Sequence, residues 1–380
     1  MSKARPLARL LGLVLLATVG AAAVAPQAIA SDHAHAAPAD TLRRQQQLVR
    51  QGEASLAAGD AEGALRAFEA AAEIVHAADA ELGLVRSYMQ AGAYRQALSF
   101  GSHAAGAHRE LPGGTALYAW LLKVGGQQTV ALRVLDDGIA HMPDSITLRQ
   151  ARAQLATDSP QAEGLLLALP WRMAPQDGSS RVDANAAVRS SGLLSADGRH
   201  AWVPAAAVEG ATRLWVRNGL GQARAARAVA VAADLGIALL ELAEALPAPT
   251  PLTWRLSLPF AGGPNYLVEF IESDSAEPAW PLLRQGFFGR FTDPLQPRAL
   301  GIELPSGRHG GPVLDRQGQL AGIAVQAADG TAQMLSSAVL AQRWPALMAD
   351  ERTSITLGPV AQDALYEAAL TRVVQVLVEH

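Results

Sequence analysis

Two patterns of apolar and polar positions divide the chain near residue 158. Between residues 45 and 145, small residues recur with a period of 33 to 34. The recurring positions are Ala64, Ala97 and Ala131, with Gly59, Gly92 and Gly126 each five residues earlier. A period of this length predicts a solenoid of helix pairs, because small residues let two helices approach and larger ones fill the gap to the next pair.

The larger residues of this period resemble the packing positions of tetratricopeptide repeats. They are Leu48 and Phe68, with the small residue Gly52 between them, in the first copy, Leu84 and Tyr88 in the second, and Tyr118, Leu122, Leu135 and a closing Pro143 in the third. The resemblance implies a repeat domain over residues 41–157, closed by a capping helix at 145–157. An ordinary helical bundle with an accidental period is the alternative.

Beyond a linker at residues 158–183, short apolar runs are separated by Gly, Asp and Asn. This pattern predicts an all-β barrel or sandwich, so we expect a multidomain protein with an α-helical part followed by an all-β part. Strands are expected at 212–217, 222–231, 266–271, 283–291, 299–304, 311–314, 320–326 and 333–336, and a closing helix at 337–344.

The most specific motif is Gly307-Arg308-His309-Gly310-Gly311-Pro312, which runs into an apolar strand. It resembles the G-x-S-G-G-P segment of trypsin-like serine peptidases of the bacterial periplasmic heat-shock type, with histidine at the nucleophile position. The resemblance covers residues 184–345 and implies a double β-barrel. It also implies that Gly307, Arg308 and His309 form the turn that holds the oxyanion in an active relative.

The other two catalytic positions follow from the same resemblance. Counting back from Gly210-Ala211, as in the family's T-x-x-H-V-V-x-G-A segment, places Ala206 at the general base. The run from Asp234 to Leu240 is similar to the family's D-[LI]-A-x-L segment and implies Asp234 as the orienting carboxylate. Hydrolysis needs a hydroxyl activated by a base, which Ala206 and His309 do not supply.

Two rescues of catalysis are disfavoured, one on register and one on chemical grounds. His200 lies six residues before Ala206, so its use as base requires a shift of the strand. His309 as a covalent nucleophile lacks a general acid for the leaving amine. We expect instead that the imidazole of His309 fills the space of the lost base and approaches Asp234.

The tail, residues 346–380, is too short for the peptide-binding domain that often follows such barrels in the heat-shock peptidases. Residues 363–378 resemble the helix and strand that usually open the peptidase domain. One interpretation is a permuted arrangement in which residues 373–378 complete the first barrel. The other is an amphipathic C-terminal helix packed on the barrel or on another subunit.

At the N-terminus, Lys3, Arg5 and Arg9 precede an apolar run that ends at small residues, which predicts a signal peptide over residues 1–30. A retained membrane anchor is the alternative, and residues 31–40 are expected to be a disordered lead-in. The chain has no cysteine, so it cannot depend on disulfides, which favours the bacterial periplasm or secretion. We expect no stable membrane insertion after cleavage.

The composition of the chain argues against nucleic acid as a partner. The chain has 380 residues, 50% hydrophobic and 17% charged, with a formal net charge of -4, so no basic excess favours nucleic acid. No cofactor or metal is expected. His33 and His35 are interpreted as a solvated tail pair. The four histidines of the repeat region are interpreted as surface or packing residues; they are His76, His103, His108 and His141.

The sequence therefore favours an exported protein- or peptide-binding protein, built from a repeat array and a catalytically inactive trypsin-like domain. An active serine endopeptidase with an unrecognised nucleophile or base is the alternative. A third hypothesis makes the barrel a structural platform and assigns all binding to the array. The sequence does not identify the partner or the oligomeric state.

Overall fold

The computed structural model describes residues 39–157, 164–176, 182–247, 249–255, 257–290, 296–305, 307–327, 329–348 and 358–380. The predicted signal peptide and most of the lead-in lie outside the described residues. The helical part followed by a double β-barrel confirms the predicted fold class. No helix in the described ranges combines the length and the apolar composition needed to cross a membrane.

Between residues 39 and 155 the structure describes seven helices, each packed on the next. They are α1 (Ala39–Ala57), α2 (Ala61–Ile74), α3 (Ala78–Gln90), α4 (Tyr94–Ala107), α5 (Pro112–Val124), α6 (Gln128–His141) and α7 (Ile146–Leu155). The region is consistent with helical repeats. Its last helix, α7, forms within the segment expected to cap the array, and its N-terminus is capped by the Ser145 hydroxyl.

The recurring glycines mark one turn used three times. Gly59, Gly92 and Gly126 have φ of 77°, 78° and 85°, which is the left-handed conformation that glycine adopts without strain. Each follows the first helix of a pair. The amide after each glycine bonds a carbonyl five residues back, as in the 2.8 Å bond from Asp60 N to Ser55 O, so the period in the sequence is the period of this cap.

Phe68 shows why other small positions recur. Its ring is fully buried between α1 and α3. A Cβ added at Gly52 would lie 2.7 Å from the ring, and one at Gly83 would lie 2.3 Å from it. The two glycines therefore provide the space that this aromatic side chain fills.

The helices and the barrel form one packed unit, Ala39–His380. Two glutamines join the helices to the barrel domain. Gln90 Nε2 of α3 donates to Leu220 O of the first barrel at 2.5 Å, and Gln362 Nε2, from the helix that precedes the last strand, donates to Gly125 O after α5 at 2.7 Å. The rings of Tyr94 and Tyr366 meet edge to face at 4.5 Å. The barrel thus packs against one face of the array through these contacts.

The first barrel closes through the C-terminal strand. Its strands are β1 (Ala187–Leu194), β2 (His200–Pro204), β3 (Arg213–Asn218), β4 (Ala223–Ala232), β5 (Ile237–Leu242) and β12 (Val373–Glu379), in the closed order β1-β12-β3-β4-β5-β2. Helix α10 (Gln362–Ala369) precedes β12. Residues 373–378 therefore complete the first barrel, as the permuted interpretation expects, and the segment is not only an amphipathic C-terminal helix packed on the barrel or on another subunit.

The second sheet has six strands in the order β7-β6-β9-β10-β11-β8. They are β6 (Pro264–Glu269), β7 (Leu282–Phe287), β8 (Arg298–Ala299), β9 (Pro312–Asp315), β10 (Leu320–Gln326) and β11 (Ala332–Ser336), followed by helices α8 (Ser337–Arg343) and α9 (Pro345–Met348). A bridge between Phe288 and Leu300 joins the two edges of the sheet. The strand expected at 299–304 is limited to β8.

Candidate functional site

The glycine-rich turn lies where the two barrels meet. A Cβ added at Gly310 would lie 2.2 Å from Ser191 O of β1 and 2.7 Å from Cδ of Pro204 at the end of β2. One added at Gly311 would lie 2.2 Å from Val268 O of β6. Contacts this short exclude any side chain. The two glycines are required because the turn is wedged between backbone of both barrels.

The first half of the turn is held by charge and by backbone pairing. Gly307 has φ of 145°, a conformation that favours glycine. Arg308 forms a parallel bridge with Ser190 of β1, and its guanidinium Nη1 donates to Glu272 Oε1 at 2.8 Å. The segment expected to form the oxyanion turn is thus attached to the first barrel.

His309, at the nucleophile position, is buried and fully engaged. Its side chain is 5% exposed. Nδ1 lies 2.8 Å from Glu269 Oε2, and Nε2 lies 3.0 Å from the carbonyl oxygen of Pro305. A carboxylate and a carbonyl both accept hydrogen bonds, so satisfying both contacts requires a proton on each ring nitrogen. The geometry therefore favours the imidazolium form.

The electrostatics of this pocket agree with that assignment. Burial of the imidazole opposes its charging, but the hydrogen bond and the charge of Glu269, with the Pro305 carbonyl, outweigh it and raise the pKa of His309 above its ordinary value. Glu269 is 1% exposed, and its Oε1 accepts from Arg284 Nε at 3.2 Å. His309, Glu269 and Arg284 form a buried network of two cations around one carboxylate.

The raised pKa predicts a pH-dependent contribution to stability. In the unfolded chain the histidine pKa is about 6.5. Because the folded value lies above it, the contribution is fully present below about pH 6.5 and is lost as the pH rises through the folded pKa.

We expect the free energy of unfolding of the wild type to exceed that of His309→Gln by more at pH 5.5 than at pH 8.5. Urea unfolding of both proteins at the two pH values measures this, and an equal or larger difference at pH 8.5 contradicts it.

Ala206, at the general-base position, is exposed. It lies in a single 3-10 turn, Ala205–Ala207, directly after β2. Ala205 N donates to Gly236 O at 2.8 Å, so the residue that borders this turn from the β4–β5 hairpin is Gly236. Neither a methyl group nor a glycine can accept or orient a proton.

Asp234 lies two residues further out, exposed in the turn between β4 and β5. Among the described residues its carboxylate has no hydrogen bond or ion pair. The expected approach of His309 to Asp234 is therefore wrong, because both ring nitrogens of His309 are bound within the second barrel and its turn. The structure brings positions 204–207, 236 and 309–310 to the junction of the barrels and leaves Asp234 outside it.

His200 does not replace the missing base. It begins β2, at the end of the strand opposite Ala206, and pairs with Glu241 of β5. Its Nδ1 lies 2.7 Å from Asp197 Oδ2, and the Ser195 hydroxyl bonds the other oxygen of the same carboxylate. The aspartate separates the imidazole from the hydroxyl, so the group is a turn network without an activated nucleophile.

Sequence reasoning missed Glu269 and Arg284. The signal for Glu269 was an acidic residue in an otherwise apolar strand, next to Val268 and Phe270, which are both buried. A buried carboxylate needs a charged partner. His309 lies 40 residues later in the sequence, and no local pattern connects the two.

Comparison with known proteins agrees with this fold. Residues 185–323, which run from just before β1 into β10, match the family profile described as trypsin-like peptidase domain. The resemblance read from the glycine turn is thus confirmed for this part of the chain. The matched range excludes β12, although β12 closes the first barrel. No curated protein matches the chain.

Several solved structures of peptidases are similar to part of this chain, at low identity and low TM-score. A serine-to-alanine mutant of Rv3671c from M. tuberculosis H37Rv, in an inactive form, is 16% identical over 44% of this chain and 87% of that one, with a TM-score of 0.34. The serine endoprotease from Yersinia pestis is 16% identical over 44% and 65%, with a TM-score of 0.36. The MamO protease domain from Magnetospirillum magneticum is 18% identical over 46% and 98%, with a TM-score of 0.35.

Proposed function

We propose that this chain is an exported protein- or peptide-binding protein whose trypsin-like domain is catalytically inactive. One observation carries the proposal. The residue at the nucleophile position is a buried histidine bound to Glu269 and to the Pro305 carbonyl. The position that bears a reactive hydroxyl in an active relative has become part of a structural ion network.

The chemistry of the junction supports inactivity in three ways. Ala206 removes the base, and losing either the base or the nucleophile alone costs a serine protease about a millionfold in turnover. An imidazolium with both nitrogens protonated has no lone pair to attack a carbonyl, so His309 is not a nucleophile either. The carboxylate of Asp234 is exposed and has no histidine to orient.

Binding is proposed at a cleft between the helices and the first barrel. It has a volume of about 230 Å³ and lies between Trp120 of α5, Val188 of β1, Gln375 of β12 and the 273–279 segment. Trp120 is buried and forms part of the apolar wall of the cleft. The exposed polar side chains of Ser275 and Glu277 also line the cleft and can pair with the main chain of a peptide that enters it.

The test uses the purified chain and a display library of extended peptides. We expect enriched peptides whose binding is weakened at least tenfold by Glu277→Arg, since Glu277 is exposed and lines the cleft. Glu62→Arg is the control, because Glu62 is exposed on α2, away from the cleft. Failure to enrich any peptide contradicts the binding role. Cleavage of the enriched peptides contradicts inactivity.

A further inference from the structure

Three histidines of the helical region converge on one glutamate. His76 lies in the connection between α2 and α3, and Glu81 lies in the first turn of α3. His103 is on α4, and His108 is the residue that ends it. The sequence separates these residues by up to 32 positions, and the antiparallel packing of α3 and α4 brings them to the same end of the helix pair.

The nitrogen atoms that face the glutamate are the same in all three rings. His108 Nε2 lies 3.3 Å from Glu81 Oε2, and His103 Nε2 lies 3.6 Å from Oε1. His76 Nε2 contacts Oε1 as well. One ligand atom each from His76, Glu81 and His108 lies within 4.8 Å of the others. Ligands of a tetrahedral Zn²⁺, bound at about 2.0–2.2 Å, lie about 3.4 Å apart. The contacts of 3.3 Å and 3.6 Å from His108 and His103 to Glu81 are close to that separation.

Two polar atoms at the centre of the group are buried without a hydrogen bond. They are Glu81 Oε2 and His108 Nε2, which face each other across 3.3 Å without the geometry of a hydrogen bond. The Glu81 side chain is only 3% exposed. Leaving a buried carboxylate oxygen unsatisfied is costly, and a cation between the two atoms would satisfy both.

We propose that His76, Glu81 and His108 bind one Zn²⁺ ion, with His103 as the fourth ligand. Imidazole nitrogen with a single carboxylate is a donor set that suits zinc, whereas Mg²⁺ and Ca²⁺ prefer oxygen ligands. The His103 side chain is 59% exposed and is free to turn toward the ion. His108 ends α4, and the partial negative charge of a helix C-terminus also favours a cation.

The proposed ion joins the α2–α3 connection to the end of α4. It thereby links the first helix pair to the second, through residues that the sequence interpretation treated as packing or surface histidines. An ion bound only by the folded chain raises the unfolding temperature as its concentration rises. The proposed role of the site is therefore to stabilise the repeat region.

The test is calorimetric titration of the purified, chelator-treated chain with ZnCl₂, with thermal unfolding measured in parallel. All proteins carry His33→Ala and His35→Ala, which removes the tail pair as a competing site. We expect one Zn²⁺ per chain, a higher unfolding temperature with zinc, and no heat from MgCl₂ or CaCl₂. His76→Ala and His108→Ala should each weaken zinc binding at least tenfold, and the double variant should abolish it.

His141→Ala is the matched control, because His141 is an exposed histidine of α6 outside the cluster, and it should bind zinc like the parent. The His76 side chain is 61% exposed, so its removal leaves the packing of the helices intact, and circular dichroism checks that it does. Absence of zinc binding by the parent, or equal binding by the His76/His108 double variant, overturns the proposal.

Discussion

Val376→Asp is expected to abolish the folded state of the chain. Val376 is fully buried in the first barrel, on a strand whose backbone pairs with Ser190 of β1 on one side and Val216 of β3 on the other. An aspartate there buries an unpaired charge among apolar side chains, a change that costs more than about 4 kcal/mol. Soluble yield and urea unfolding of the variant measure this.

Val231→Asp is the matched control for this prediction. It makes the same substitution in the same barrel, but Val231 is 57% exposed on β4. A change at an exposed position away from special features alters the free energy of unfolding by about 0.5 kcal/mol or less. If both variants unfold at the same urea concentration, β12 does not close the barrel in the way described here.

The C-terminal strand β12 and the helix before it connect the first barrel to the helical region. Because β12 lies between β1 and β3, the barrel cannot close until the last residues of the chain are in place. Helix α10, which leads into this strand, contacts α4 of the helical region, and Arg95 N of α4 donates to Glu367 Oε2 at 2.8 Å. The helices and the barrel are thereby joined through the segment that completes the barrel.

Glu269→Gln is expected to destabilise the chain by about 3 kcal/mol. The substitution keeps the shape of the side chain but removes the charge between Arg284 and His309, and breaking a buried ion pair from one side costs about 3–5 kcal/mol. Glu269 is 1% exposed, so solvent cannot compensate. Urea unfolding at pH 6 provides the measurement.

Glu272→Gln is the control for Glu269→Gln. Glu272 binds Arg308 of the same glycine turn, but its side chain is 25% exposed and that of Arg308 is 43% exposed. Solvent-screened pairs of this kind contribute about 1 kcal/mol or less. Equal effects of the two substitutions would show that the buried network around His309 has no special role.

Much of this architecture is predictable from local sequence, because the cause is local. The glycine period reports a repeated helix cap, and short continuous apolar runs report strands such as β5 and β10. The glycine turn identifies the junction of the barrels because only glycine fits between the two backbones. In each case the residue is dictated by its immediate backbone environment.

The contacts of the site are harder to predict from the sequence, because they join residues that are far apart in it. The Glu269 partner of His309 comes from another strand, and the cluster around Glu81 is assembled from three segments. Asp234 illustrates a further difficulty. The segment that contains Asp234 leads into β5, whose apolar residues begin at Ile237. The residue that borders the base position is Gly236, two residues after Asp234 in the same hairpin turn. The apolar pattern of the strand does not determine which residue of the turn occupies that place.

The claim that the trypsin-like domain is inactive is tested most directly with a serine-reactive fluorophosphonate. The purified chain is incubated with excess reagent and its intact mass is measured, with trypsin treated in parallel as the positive control. Because His309 and Ala206 provide neither a hydroxyl nor a base at the junction of the barrels, we predict that the mass of this chain does not change. A stoichiometric adduct on one serine of the folded chain, absent when the chain is denatured before labelling, would contradict the account.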